Sequence, residues 1–422
     1  MNRADCVDLD DRDPLKAHRA AFALPENVVY LDGNSLGALP RAASARVREV
    51  IEREWGDGLI RSWNSARWID LPRRVGARIA RLIGAQPHEV TCADSTSINL
   101  FKVLAAALRL QHAAPAGTQP RRVILSERGN FPTDLYMAQG LADLLGAGHE
   151  LKLVESAHVT EAIDERTAVV MLTHVNFRTG AMHDLAGITQ RARAAGALTV
   201  WDLAHSAGAV PVALNEAGAD FAVGCGYKYL NGGPGAPAFV YAASRHLSAL
   251  AEDRYAQPLS GWLGHRAPFA FDPTYAPAPS IDRFSVGTPS IVALAALEIG
   301  VDTVLAAGID ALRSKSTALT TLFIELVEQR CGAYGVELVT PRDPAGRGSQ
   351  VCFRSEHAFA VMQALIARGV IGDFRAPDIL RFGFAPLYVR YTDAWDAAHA
   401  LADILATGAW QRPEFQQRGA VT

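Results

Sequence analysis

Short apolar, β-branched runs alternate with helix-patterned runs through the first half of the chain, and that alternation limits the fold more than any other feature. "EVTCAD" precedes "STSINLFKVLAAALRL", "RRVILS" precedes "PTDLYMAQGLADLLG", and "AVVMLTHV" precedes "LAGITQRARAAG". "ALTVWDLA", "DFAVGCG" and "PAFVYA" follow. Strand then helix, repeated, predicts an α/β domain with a mostly parallel sheet flanked by helices. Such a sheet collects ligands beyond the carboxyl ends of its strands. Residues 255–290 are rich in Pro and Ser and read as a long irregular segment. "IVALAALEIGVDTVLAAG" then reads as a long helix, and the chain beyond it as a smaller α/β unit. The expected division is an N-terminal segment over 1–50 packing on the small domain, a large domain over 51–300 and a C-terminal domain over 301–422.

Composition narrows the function classes. A formal net charge of −3 gives no basic field for nucleic acid. No apolar run approaches the ~20 residues of a membrane span. The opening stretch is polar and acidic, unlike a signal peptide. Five scattered cysteines without a CxxC pair suit a reducing compartment, so a cytoplasmic location is expected. His174, His183 and His205 lack the spacing of a metal site, and none is expected.

The chemistry-bearing residues fall at the predicted strand ends. "GCGYKYLNGGPG" sets Lys228 in a run with five glycines, between two tyrosines. Glycine lets backbone approach closely, and a buried lysine amine becomes a nucleophile. "TVWDLAHSAG" puts Asp202 and His205 just past a strand; a carboxylate there is costly unless it meets a cation or donor. Ser95, Thr96 and Ser97 stand where a strand turns into a helix, a place that favours an anion such as phosphate. "RGNFPTDLY" puts Phe131, Pro132, Thr133 and Asp134 at another strand end, with Phe131 able to cover a flat ring. Each has a plainer reading: a surface lysine, a helix cap for Asp202 or Ser95, a core histidine, a core aromatic. Jointly they describe one ligand, an aromatic ring with a phosphate arm, a basic ring nitrogen and an aldehyde. Pyridoxal 5′-phosphate is that object, with Asp202 on the ring nitrogen and Lys228 on the aldehyde.

At these motifs the chain resembles the fold-type I pyridoxal-phosphate enzymes of aspartate aminotransferase architecture, and within them the kynureninases. The likeness runs over nearly the whole chain and includes "YLDGNSLGALP", "TSINL", "FPTD", "WDLAHSAG", "YKYLNGGPG", "SGWLGH", "RFSVGTPS" and "LRFGFAPLY". It implies hydrolysis of L-kynurenine, or 3-hydroxykynurenine, to the anthranilate and L-alanine in tryptophan catabolism. It implies cofactor contacts from Thr96, Ser97, Phe131 to Asp134, Thr173, Asp202, His205, Tyr227 and Lys228. It implies a homodimer with shared active sites, Trp262 and Thr288 reaching the phosphate from the partner subunit. Lys228 would move the α-proton, Tyr227 would donate one to Cβ, and Arg381 would pair with the substrate carboxylate. Asn34 would shape the entrance, and Trp63, with Phe131 or Trp262, the aryl slot. Leu263 and the run "GTP" depart from the "SGWWGH" and "SNP" of some relatives.

Overall fold

The computed structural model describes residues 1–112 and 120–417. A seven-stranded sheet carries the large domain. Its strands are β1 (Val90–Cys92), β2 (Val123–Glu127), β3 (Glu150–Val154), β4 (Thr167–Thr173), β5 (Leu198–Asp202), β6 (Phe221–Gly224) and β7 (Phe239–Ala242). They lie in the order β1-β7-β6-β5-β4-β2-β3. Every neighbouring pair is parallel except the two that β7 makes, with β1 and β6. The expected mostly parallel α/β architecture is therefore present. β1, β2, β4, β6 and β7 are buried throughout, as strands covered on both faces must be.

The reversed strand β7 positions the chemistry. A parallel neighbour would need a long crossover, but an antiparallel one can be reached by a loop. The chain thus passes from β6 to β7 through residues 225–238 at the carboxyl end of the sheet. Gly233 and Gly235 take φ of 84° and 72° there, a conformation costly for other residues. Helix α1 (Thr96–His112) starts at the same end, after β1, and helix α2 (Pro132–Leu145) after β2. Pro132 is the first residue of α2, where its missing N–H costs nothing.

Residues 255–290 are irregular apart from short 3₁₀ turns, as expected. Helix α3 (Ile291–Ala307) packs on the helices Arg41–Glu49 and Leu71–Leu82. Gly308, at φ 80°, turns the chain into the helix Ile309–Cys331. The expected boundary between 300 and 301 falls inside α3, whose buried face belongs to the large domain. The helix Arg41–Glu49, at the end of the expected N-terminal segment, also packs on α3.

The small domain holds an antiparallel sheet of β8 (Glu337–Leu338), β9 (Gln350–Arg354), β10 (Asp373–Arg375) and β11 (Ile379–Gly383), in the order β10-β11-β9-β8. The N-terminal helix Arg3–Arg12 lies on the C-terminal helix Tyr391–Thr407. Asp10 accepts hydrogen bonds from the backbone N–H of Tyr391 and from the Thr392 hydroxyl, at 2.7 and 2.6 Å. Among the described residues no single helix is long and apolar enough to cross a membrane.

Candidate active site

A cavity of about 430 Å³ opens beyond the carboxyl ends of β1, β2, β4, β5 and β6. Asp134, Thr173 and Asp202 line its floor; His205, Tyr227 and Lys228 line one wall. The fold explains the meeting. Thr173 and Asp202 are the last residues of two paired parallel strands and sit side by side in register. Asp134 enters from the first turn of α2 and accepts from the Thr173 hydroxyl at 3.3 Å.

Two carboxyl groups thus share a buried floor. Burial raises Asp134 well above its ordinary value, the nearby Asp202 charge adds to the rise, and Lys228 opposes it. Burial also raises Asp202, against Lys228 and the Ala204 N–H, which donates to its Oδ1 at 2.8 Å. Among the described residues neither carboxylate has an ion-pair partner. Lys228 Nζ instead lies 2.9 Å from His205 Nε2. Burial, then the Lys228 charge, hold His205 well below its usual pKa, so its ring is neutral. Burial likewise raises the Tyr227 phenol. The floor is a place for a cationic N–H, and the wall offers an amine and a phenol.

The opposite end is built for an anion. Thr96 and Ser97 line the cavity at the first turn of α1, and Ser285 and Thr288 line it too. Hydroxyls and unbonded N–H groups at a helix start attract negative charge. Phe131 lines the cavity between the two ends and packs edge-on against Phe177, ring centres 5.2 Å apart. A flat heterocycle with an N–H cation on one side and an anionic arm on the other fits this donor set.

Pro132, Thr133, Trp63, Trp262, Arg381 and Asn34 lie outside the lining. Pro132 and Thr133 start α2 behind Phe131. Trp262 packs with Trp63 at 6.3 Å between ring centres and with Phe269 at 5.7 Å, so Trp63 and Trp262 do meet. Thr288 lines the cavity of its own chain. Arg381 is buried on β11. Its Nε donates to Asp373 at 2.7 Å, and its other nitrogens reach the Ser35 hydroxyl and the Phe177 carbonyl, each at 2.7 Å. Asn34 is wholly buried with both amide atoms unpaired, packed over Gly383. The turn that holds it does touch the site, because the Gly37 N–H donates to the Tyr227 carbonyl at 2.8 Å.

Sequence reasoning passed over Phe177 and Cys225, which line the cavity, and Asn130, which accepts from the Thr173 hydroxyl. All three sit just past strand ends, so the strand-end rule could have found them. It also passed over Asp94, Lys102 and Asp373, whose roles depend partly on distant partners, Phe284 for Lys102 and Ser35 for Asp373.

Comparison with known proteins adds a second line. Residues 312–401 match the family model described as the kynureninase C-terminal domain. The chain is 58% identical over 422 residues to a kynureninase of Burkholderia mallei (strain SAVP1), covering 100% of this chain and 99% of that one. It is 56% identical over 421 residues to a kynureninase of Pseudomonas fluorescens, again covering 100% and 99%. Among solved structures, a cysteine desulfurase of Thermococcus onnurineus NA1 superimposes with a TM-score of 0.75 at 20% identity, covering 93% of this chain and 98% of that one. At that identity the likeness speaks for the fold.

Proposed function

The chain belongs to the kynureninase family, and on that footing we propose that it hydrolyses the Cβ–Cγ bond of L-kynurenine to anthranilate and L-alanine. Its 3-hydroxy derivative would use the same slot. The cofactor is pyridoxal 5′-phosphate. The observation that carries the reading is the juxtaposition of Lys228 and His205 with the buried carboxyls of Asp202 and Asp134 in one cavity.

When bound, the cofactor supplies an aldehyde for amines and a protonated ring that takes up the electrons of a broken bond. The residues do the rest. Asp202 and Asp134 hold the ring N–H from the floor. Thr96, Ser97 and Thr288 hold the phosphate, and Phe131 with the start of α2 bounds the ring. Neutral His205 accepts a hydrogen bond from the Lys228 amine and fixes its direction. Lys228 takes the proton from the substrate Cα. Water adds to the Cγ carbonyl of the substrate, and Tyr227, kept protonated by burial, gives a proton to Cβ as the Cβ–Cγ bond breaks, so that Cγ leaves as the carboxyl of anthranilate. Arg381 answers the substrate carboxylate through its planar fork, and Asn34 shapes the entrance beside it. Trp63 borders the aryl ring.

The enzyme works as a homodimer with shared sites. Exposed Trp55, Leu59, Ile60, Phe269 and Phe271 give it apolar surface to cover, and Trp262 lies beside Phe269. Five buried free thiols suit a cytoplasmic setting. A desulfurase needs a mobile cysteine that can reach the substrate; Cys331 is wholly buried at a helix end, and Cys225, though it lines the cavity, directly follows β6 and is buried with its thiol on the Ala204 carbonyl at 3.7 Å.

The test uses the purified chain with the cofactor added. Kynurenine should yield fluorescent anthranilate without any 2-oxo acid, and cysteine should yield no sulfide. Lys228→Ala should fold, lose the lysine-bound absorbance band and lose roughly 10²–10⁴-fold in rate. Turnover that depends on a 2-oxo acid would sink the proposal.

A further inference from the structure

Lys102 lies less than two turns past Thr96 in α1 and is wholly buried. A buried ammonium is costly unless it is paired and hydrogen-bonded. Here Nζ donates to Asp94 Oδ2 at 2.6 Å and to the Phe284 carbonyl. Asp94 stands in the turn before α1, with φ at 44°, and lines the cavity beside Thr96 and Ser97. Phe284 leads into the run from Ser285 to Thr288, which also lines the cavity. One amine therefore ties together two lining segments of the anion end. Asp94 is also the carboxylate that this end carries, with its side chain about a third exposed. An unneutralised carboxylate there would repel a phosphate dianion.

We propose that Lys102 is a positioning residue for the cofactor's phosphate. Its ammonium holds and neutralises Asp94 and anchors the Phe284 backbone, so that the Thr96, Ser97 and Thr288 donors meet a dianion without opposition. This rests on reading the cavity as a pyridoxal-phosphate site. A lysine that merely completes the core would affect ligands with and without a phosphate alike.

The experiment measures dissociation constants of pyridoxal 5′-phosphate and of pyridoxal by equilibrium dialysis against the cofactor-stripped full chain. Lys102→Met should weaken pyridoxal phosphate roughly tenfold or more while pyridoxal stays within about twofold. Asp94→Asn should bind pyridoxal phosphate at least as tightly as the parent. The double variant should return towards the parent value. Equal weakening of both ligands by Lys102→Met, or of neither, overturns the proposal. If Lys102→Met does not fold, Asp94→Asn decides alone: weaker phosphate-ligand binding overturns the proposal, and equal or tighter binding supports it. A parent chain that binds both ligands equally would sink the reading of the site itself.

Discussion

Asp134 and Asp202 meet carboxyl to carboxyl on the floor of the cavity, one brought there by the first turn of α2 and the other by the end of β5. Like charges in a buried site do not both ionise readily. Without a cationic ring between them and water, the pair retains a proton above the ordinary aspartate range.

That pair makes the cofactor-free protein sensitive to pH. A raised folded-state pKa gives stability that is complete below the unfolded aspartate value of 3.8 and is lost as pH rises through the raised values. Asp134→Asn removes one of the two ionisations. Cofactor-free Asp134→Asn should melt above the parent at pH 8, by a degree or two in order of magnitude, with the gap closing towards pH 4. Thermal scans across that range check it. A gap that widens as pH falls would contradict the shared proton.

The floor also marks how far the sequence reading reaches. β-branched runs before helical runs located β1, β2 and β4 to β7, because strands buried on both faces leave a continuous apolar signature. β3 was missed: "ELKLV" mixes charge into an edge strand that is only partly buried. Asp202 and Lys228 were legible because strand ends and glycine runs announce them locally. The contact of Asp202 with Asp134 depends on strand order and on the register that pairs Thr173 with Asp202, which no short stretch records. Lys102 read as one more helical residue, because its Phe284 partner is 182 residues away and its Asp94 contact depends on the turn before α1.

Tyr227→Phe separates proton donation from cofactor holding. The phenol lines the cavity next to Lys228, and burial keeps it protonated. Its loss should slow alanine release roughly 10²-fold. Cofactor affinity should change far less. Stopped-flow anthranilate fluorescence beside an alanine assay would show it, and equal losses in rate and affinity would remove Tyr227 from the donor role.

Arg381 carries structure as well as recognition. Burial pushes Asp373 up, but the Arg381 guanidinium outweighs it and holds Asp373 below its usual value. Burial and the Asp373 charge raise neighbouring Asp32 to about 7. Arg381→Met leaves both acids with Arg375 as their remaining cation, at 2.7 Å from Asp373, and should cost about 3–5 kcal/mol in urea unfolding. Arg381→Lys keeps the charge but loses the fork, so it should raise KM for kynurenine with a smaller change in kcat. An unchanged KM would remove Arg381 from carboxylate binding.

Gly37 couples the N-terminal segment to the lysine loop by its N–H bond to the Tyr227 carbonyl and by close approach. A Cβ there would stand 2.4 Å from the Lys228 carbonyl oxygen and 2.5 Å from Asn231 Oδ1, too near for either to remain in place. Gly37→Ala should therefore destabilise the protein by about 1–3 kcal/mol. It should also weaken cofactor retention, because the displaced atoms belong to the loop that carries Lys228. Gly140 is the control: it lies within α2, and a Cβ there meets nothing within 4 Å. Gly140→Ala should gain about 0.5–1 kcal/mol by reducing the freedom of the unfolded chain. Denaturant unfolding and cofactor absorbance of the two variants test the coupling. A Gly37→Ala protein as stable as the parent, with the same absorbance band, would show that the turn is not pressed against the lysine loop.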